Sequence, residues 1–175
     1  MRRTAARLSS FRRFRKAEEA ATAVEFALVA PAFIALLFAI LQTALVFFAQ
    51  QVLQTATLQA ARQIMTGQAQ AGNMSQSAFQ QLVCTNAGGL FSCGGIYAAV
   101  QTFTSFPNVT MYNPISNGKF SGSNMPYSPG APGDVEVVQV FYQWPVYPGP
   151  LSFTLSNTNA NTNVLVATAA FRNEP

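Results

Sequence analysis

A long uncharged segment, Phe26 to Ala49, constrains this chain more than any other part of its sequence. As a helix rising 1.5 Å per residue it would be about 36 Å long, and the hydrocarbon core of a bilayer is about 30 Å thick. The apolar stretch of a cleaved secretory signal is shorter, at about 7 to 15 residues. We therefore predict a transmembrane helix that spans the membrane over about residues 26–49.

Positive charge is concentrated before this segment. Of the 10 Lys and Arg residues, all but Arg62, Lys119 and Arg172 precede it. Because Lys and Arg beside a membrane span stay on the cytoplasmic side, we predict a cytoplasmic basic leader over residues 1–20 and the opposite location for the C-terminal part. Nucleic acid is not an expected partner, because no aromatic platform or recognition motif accompanies the arginines.

One helix is predicted to continue beyond the membrane. We expect it to run from Ala20 to Thr66, with a kink at Pro31 and an end at Gly67. Its outer part is amphipathic, which predicts a mixture of packing on the chain's own sheet and against neighbouring subunits, with the sheet as the main partner of the later turns. The residues of that stripe are Val46, Ala49, Leu53, Ala56 and Ala60.

The remaining residues, 68–175, predict one small β-rich domain. Segments enriched in β-branched or aromatic residues indicate a small antiparallel sheet of about four strands. A long stretch rich in proline and glycine, Asn113 to Gly133, predicts an exposed loop. The fold class is thus predicted to be α+β, with a long N-terminal helix packed on the sheet. The strand candidates are Ile96–Phe103, Asn108–Tyr112, Val135–Trp144 and Asn163–Phe171.

The two cysteines, Cys84 and Cys93, lie in the part predicted to be outside the cytoplasm. In an oxidising compartment such a pair is expected to form a disulfide. The alternatives are free thiols or a metal site, but a metal would need more ligands and the chain contains no histidine. We predict a disulfide and no bound metal or cofactor.

Catalytic motifs receive little support, so we predict that the chain is not an enzyme. Without histidine, Ser-His-Asp and Cys-His arrangements are excluded. Ser116 and Lys119 have the Ser-x-x-Lys spacing of penicillin-recognising enzymes, but a nearby proline and glycine disfavour the helix that this motif needs. Asp134 and Glu136 supply too few ligands for calcium, and we interpret them as a solvated strand end.

Four aromatic residues lie close together near the end of the third predicted strand. Core packing is the usual role of such residues, and contact with a partner is the alternative. The residues are Phe141, Tyr142, Trp144 and Tyr147.

Glu25 stands directly before the apolar segment, where a charged side chain is costly unless it has a partner. If the chain were cut between Ala20 and Ala21, the new amino group would lie four residues before Glu25 and could pair with its carboxylate. The pair could form within one subunit or between neighbours. The alternative is that Glu25 sits at headgroup level as the polar end of a signal anchor.

The segment from Ala20 to Leu41, which reads AATAVEFALVAPAFIALLFAIL, resembles the N-terminal signature of the TadE-like pseudopilins. Residues 60–62 and Gly67 resemble later positions of that family. The resemblance implies a non-enzymatic, minor pilin-like subunit that acts in assembly of a tight-adherence, or Flp-type, pilus. It also implies a single-pass protein of the bacterial inner membrane with a periplasmic C-terminal domain.

The same resemblance implies roles for individual residues. Family members are processed by a prepilin peptidase that cuts after a glycine, and this position is Ala20 here, followed by Ala21. Glu25 is implied to set the register during assembly, within a membrane helix that includes Phe26, Pro31 and Gln42. Gln42 stands where many relatives carry an acid.

The partners implied are membrane lipid, other pilus subunits, inner-membrane platform proteins and the peptidase. The alternative function is that of a signal-anchored periplasmic binding or scaffold protein unrelated to pili. A pilus-assembly role would be supported by genes for a secretion ATPase and a prepilin peptidase beside this one.

Overall fold

The computed structural model describes residues 18–147 and 154–175, and the predicted leader therefore lies almost entirely outside the described residues. The fold is α+β as predicted, with a long N-terminal helix followed by a small antiparallel sheet. The helices are α1 (Glu18–Met65), α2 (Gln68–Ala71) and α3 (Gln76–Asn86), and the strands are β1 (Ile96–Phe103), β2 (Ile115–Ser116), β3 (Lys119–Phe120), β4 (Val135–Pro145) and β5 (Thr162–Arg172).

Helix α1 contains 48 residues, which corresponds to a length of about 72 Å. Its sequence of alanine, leucine and glutamine favours a helix throughout, and Pro31 lies inside it. The helix ends as predicted at Gly67, whose φ of 75° is left-handed. There the Gly67 N–H donates to the carbonyl of Ile64 at 3.0 Å, a common way to close a helix C-terminus.

The outer half of α1 packs on the rest of the chain. All five residues of the predicted apolar stripe are buried, from Val46 at 8% exposure to Ala60 at 0%. Their partners are the helix-facing side chains of the sheet, such as Val138 and Ala167, together with Phe79 of α3. The prediction that this stripe packs on the chain's own sheet is confirmed.

The main sheet has three strands in the order β1-β4-β5, with β4 in the centre and all neighbours antiparallel. In the central register, Val138 lies opposite Val100 of β1 and Ala169 of β5. Because side chains alternate along a strand, one face of this sheet meets α1 and the other faces away from it.

The face away from α1 is covered by the long segment between β1 and β4. Met125, Phe120 and Tyr112 of this segment pack against Phe141 of β4 and its neighbours. The prediction of a strand at Asn108–Tyr112 is wrong. The side-chain amide of Gln139 instead binds the Tyr112 backbone, accepting from its N–H at 2.7 Å and donating to its carbonyl at 3.3 Å.

The segment after Gly67 is helical rather than extended, which the sequence analysis missed. Helix α3 begins at Ser75, whose hydroxyl accepts from the Ala78 N–H at 3.2 Å as an N-cap. Phe79, Val83 and Cys84 form its buried face. A disulfide joins Cys84, near the end of α3, to Cys93 just before β1, with Cα atoms 5.4 Å apart.

Amide side chains of α1 occupy the outer edge of β5. Gln50 donates to the Val166 carbonyl at 2.8 Å. Gln54 binds both backbone groups of Thr168, donating to the carbonyl at 2.9 Å and accepting from the N–H at 3.2 Å. The helix therefore supplies the hydrogen bonds that a further strand would otherwise make.

The opposite edge, on β1, is also occupied. Val100 donates to the Pro126 carbonyl at 2.8 Å and accepts from the Ser128 N–H at 3.0 Å. The Gln76 amide donates to the Ala98 carbonyl at 2.7 Å. Both edges of the sheet are thus bonded within the chain, so pairing with a strand of another subunit would first require breaking these contacts.

We expect Gln54→Ala to lower the free energy of unfolding by about 1 to 3 kcal/mol, because two backbone groups of Thr168 lose their partner. Gln51→Ala is the matched control, since Gln51 is an exposed glutamine of the same helix. The measurement is chemical denaturation of the full chain in detergent, followed by near-UV circular dichroism. Equal stability of the two variants would contradict a role for this contact.

Candidate functional site on the uncovered half of the long helix

The first half of α1 is apolar on all sides and uncovered. Its large hydrophobic side chains are exposed, for example Phe26 at 74%. Among the described residues, this is the one helix long and apolar enough to cross a membrane, and no residue of its most apolar stretch is buried. Burial in lipid or against other helices would remove this surface from water. The other exposed members include Leu28, Val29, Phe33, Leu36, Ile40 and Leu41.

Gln42 joins α1 to the folded domain, because its amide donates to the Tyr147 carbonyl at 3.0 Å. Four residues later, Val46 is already buried. The helix from Phe26 to Leu45 rises about 30 Å, which equals the thickness of a bilayer core. The last residues of the predicted span, up to the fully buried Ala49, are in contact with the domain.

Glu25 is exposed, one helical turn after Ala21, at the start of the uncovered half. Among the side chains whose placement is described, none pairs with its carboxylate. Ala20 and Ala21 are consecutive residues of α1, so the predicted cleavage point lies within the helix. The structure places Glu25 and Gln42 about 25 Å apart along α1, so these two predicted site residues do not meet.

Pro31 borders a shallow concave surface on the uncovered half. Ala27, Ala30 and Ala35 contribute small side chains to this surface, and Phe38 closes one end of it. Small residues allow the backbones of two membrane helices to approach closely. This group was not among the predicted site residues, although the spacing of its alanines is visible in the sequence.

Residues 20–62 match the family model described as TadE-like protein. The resemblance predicted from the sequence is therefore confirmed over these residues. No curated protein and no solved structure matches the chain. The TadE-like segment begins at the predicted cleavage point and includes the whole uncovered half of α1, Glu25 and most of the turns that pack on the sheet.

The aromatic group beyond the TadE-like segment divides between two environments. Phe141 is buried, while Tyr142 and Trp144 are half-buried and pack against Phe91 with ring centroids 4.8 and 5.9 Å away. Tyr147 is 78% exposed, beside the point where the domain meets the end of the uncovered helix. Core packing therefore accounts for Phe141, Tyr142 and Trp144, but not for Tyr147.

Ser116 and Lys119 lie in a β-hairpin rather than at a helix start. They are paired residues of β2 and β3, joined by Asn117 and Gly118, both with positive φ. An Asn-Gly dipeptide between two strands is a strong hairpin signal that the sequence analysis overlooked. The Ser-x-x-Lys spacing is thus a consequence of the turn.

Glu136 is not part of a solvated strand end, and that interpretation is wrong. Its side chain is fully buried on the helix-facing side of β4. One carboxylate oxygen accepts from the Gly130 N–H at 2.8 Å, and the other has no hydrogen-bond partner among the described residues. A Cβ at position 130 would overlap this carboxylate, so glycine is needed for the close approach of the loop.

Burial raises the pKa of Glu136 from 4.5 to about 7. The charge of Asp134 raises the pKa further, while the nearby Thr102 hydroxyl and the hydrogen bond from the Gly130 N–H lower it. Asp134 is half-buried and accepts from the Ala131 N–H at 2.9 Å. Among the described residues, no group of three or more acidic, histidine or cysteine side chains is arranged to hold a metal ion.

We expect the free energy of unfolding to fall as the pH rises from about 4.5 to about 7 and then to level off. The folded protein holds the Glu136 proton up to a pKa of about 7, whereas in the unfolded chain the group titrates near 4.5. The protonated Glu136 therefore contributes its full share of the free energy of unfolding below pH 4.5. This contribution is lost as the pH rises through about 7. Its slope is at most about 1.4 kcal/mol per pH unit.

Glu136→Gln, which keeps the side chain neutral, should flatten this dependence, while Glu174→Gln at an exposed site should preserve it. The measurement is thermal unfolding of the full chain in detergent between pH 4 and pH 8. The same slope in Glu136→Gln as in the unchanged protein would contradict the assignment.

Proposed function

We propose that this chain is a pseudopilin, a non-enzymatic pilin-like subunit that acts in assembly of a tight-adherence, Flp-type pilus at a bacterial inner membrane. The observation that carries the proposal is the match of residues 20–62 to TadE-like proteins, which includes the uncovered apolar half of α1 and Glu25. Such a helix both anchors the chain and offers a surface for other anchor helices.

The proposed topology places the N-terminus in the cytoplasm and the domain in the periplasm. The excess of Lys and Arg before Glu25 supports this orientation. The disulfide between Cys84 and Cys93 supports an oxidising environment for the domain. The proposed membrane span begins at Phe26 and ends near Leu45, where the helix first becomes covered.

The proposed mode of association is lateral contact between helices. Both edges of the sheet are already bonded within the chain, so strand exchange is disfavoured. The uncovered half of α1 presents small side chains around Pro31, where another helix can approach closely. Glu25 lies at the start of that helix, and a partner for its carboxylate would fix the register between subunits.

The proposed function predicts that cells lacking this chain lose surface pili and that the unchanged gene restores them. Glu25→Gln should fail to restore them, because the neutral amide cannot form the ion pair that sets the register. Glu174→Gln is the matched control and should restore pili fully. Pili are counted by electron microscopy, and the amount of each variant in the membrane is measured in parallel.

Normal piliation without the chain would contradict the proposal and favour the alternative of an anchored periplasmic binding or scaffold protein. Full restoration by Glu25→Gln would be consistent with the pilus role, but it would contradict the proposal that the Glu25 carboxylate sets the register.

The proposed processing between Ala20 and Ala21 predicts loss of residues 1–20 only in cells that contain a prepilin peptidase. Ala20→Gly should increase the processed fraction, because the peptidase of this family is expected to cut after glycine. The measurement is the intact mass of the membrane-extracted protein. The same full-length mass with and without the peptidase, in both variants, would show that the basic leader is retained.

A further inference from the structure

A groove of about 480 Å³ lies where the uncovered helix meets the base of the domain. One wall is formed by the α1 side chains Phe38, Leu41 and Leu45, and the other by Trp144, Pro145 and Tyr147 at the end of β4. The hydrogen bond from Gln42 to the Tyr147 carbonyl joins the two walls. Of these lining residues, Trp144 also packs against the hydrophobic core.

The position of the groove along α1 sets its depth in the proposed membrane. If Glu25 marks the inner boundary of the hydrocarbon core, Leu45 lies about 30 Å away, at the outer boundary. Phe38 then lies about 10 Å below that boundary. The groove thus occupies the outermost part of the acyl-chain region, directly below the domain.

The chemistry of the groove fits this depth. Trp and Tyr side chains are enriched where a protein crosses the membrane surface, because their rings are apolar at one end and polar at the other. Trp144 and Tyr147 stand at that level, and Tyr147 is largely exposed. The sequence has no charged residue between Phe26 and Ala61 or between Val137 and Phe171, so neither wall carries a charge.

We propose that this groove holds an acyl chain of a bilayer lipid and seats the base of the domain in the membrane surface. This inference rests on the proposed membrane anchoring. Because the walls are uncharged, contact is made with the acyl chain, and the charge of the lipid headgroup makes no difference. The domain then stands directly on the bilayer with its sheet and the outer half of α1 rising from it.

The chain offers a native probe, since Trp144 is its single tryptophan. The full chain is reconstituted in vesicles of phosphatidylcholine brominated at defined acyl positions, and quenching of Trp144 fluorescence is measured. We expect at least twofold quenching by bromine near the headgroup and less by bromine near the bilayer centre. Replacing a third of the lipid with phosphatidylglycerol should leave the result unchanged.

A matched control moves the probe to the other end of the sheet. In Trp144→Phe with Phe106→Trp, the tryptophan lies beyond β1, whose last residue, Phe103, pairs with Val135 at the start of β4. This end is about 30 Å from Trp144 along the strand. We expect no quenching of this double variant by any brominated lipid.

A second pair of variants tests the groove itself. Tyr147→Asp adds a charge at an exposed position and should reduce the quenching of Trp144 at least twofold, while Tyr147→Phe should preserve it. Shielding of Trp144 from both brominated lipid and aqueous acrylamide would show that protein fills the groove and would overturn the inference. Full quenching by acrylamide without quenching by bromine would also overturn it.

Flotation of the vesicles separates this inference from the proposed function. Protein that floats with the vesicles but shows no quenching overturns only the lipid groove. Protein that fails to float contradicts the membrane anchoring itself, and the groove inference is then overturned with it.

Discussion

One continuous helix has to satisfy two different surroundings, and the rest of the structure depends on this constraint. From Phe26 to Leu41 helix α1 is apolar on every side and largely exposed, whereas from Val46 onward one apolar stripe is buried and only Phe47, Phe48 and Leu58 leave large apolar side chains exposed. A helix that is hydrophobic all round requires an apolar environment, while an amphipathic one requires a single packing partner. The sheet therefore packs on α1 from the point where the helix changes from apolar on every side to amphipathic.

The glutamines of the outer half show how the helix also completes the sheet. A three-stranded sheet leaves two edges whose backbone groups need partners. Gln50 and Gln54 satisfy the edge of β5 from α1, and Gln76 contributes to the edge of β1. These contacts explain why glutamine, rather than a charged residue, borders the apolar stripe. They also leave the uncovered half of α1 as the surface available for association in the proposed assembly.

The errors of the sequence analysis have physical causes. Helix α3 was missed because most of its exposed positions are polar and only Phe79, Val83 and Cys84 mark the buried face. The segment Asn108–Tyr112 has the composition of a strand, but its backbone groups at Tyr112 are bound by the Gln139 side chain, so no ladder forms. Glu136 was assigned to solvent because a carboxylate is rarely buried, and no local pattern indicates that a loop glycine donates to it.

The sequence by itself determined the long helix, its end at Gly67, the face that packs on the sheet and three of the strands. These features depend on local periodicity and on backbone preferences, and both can be read from short stretches of consecutive residues. Only the tertiary structure decided that both sheet edges are closed, that Glu136 is buried, and that Trp144 and Tyr147 meet α1 at the end of its uncovered half. Those outcomes depend on contacts between residues far apart in the chain, and short-range patterns carry no information about such pairs.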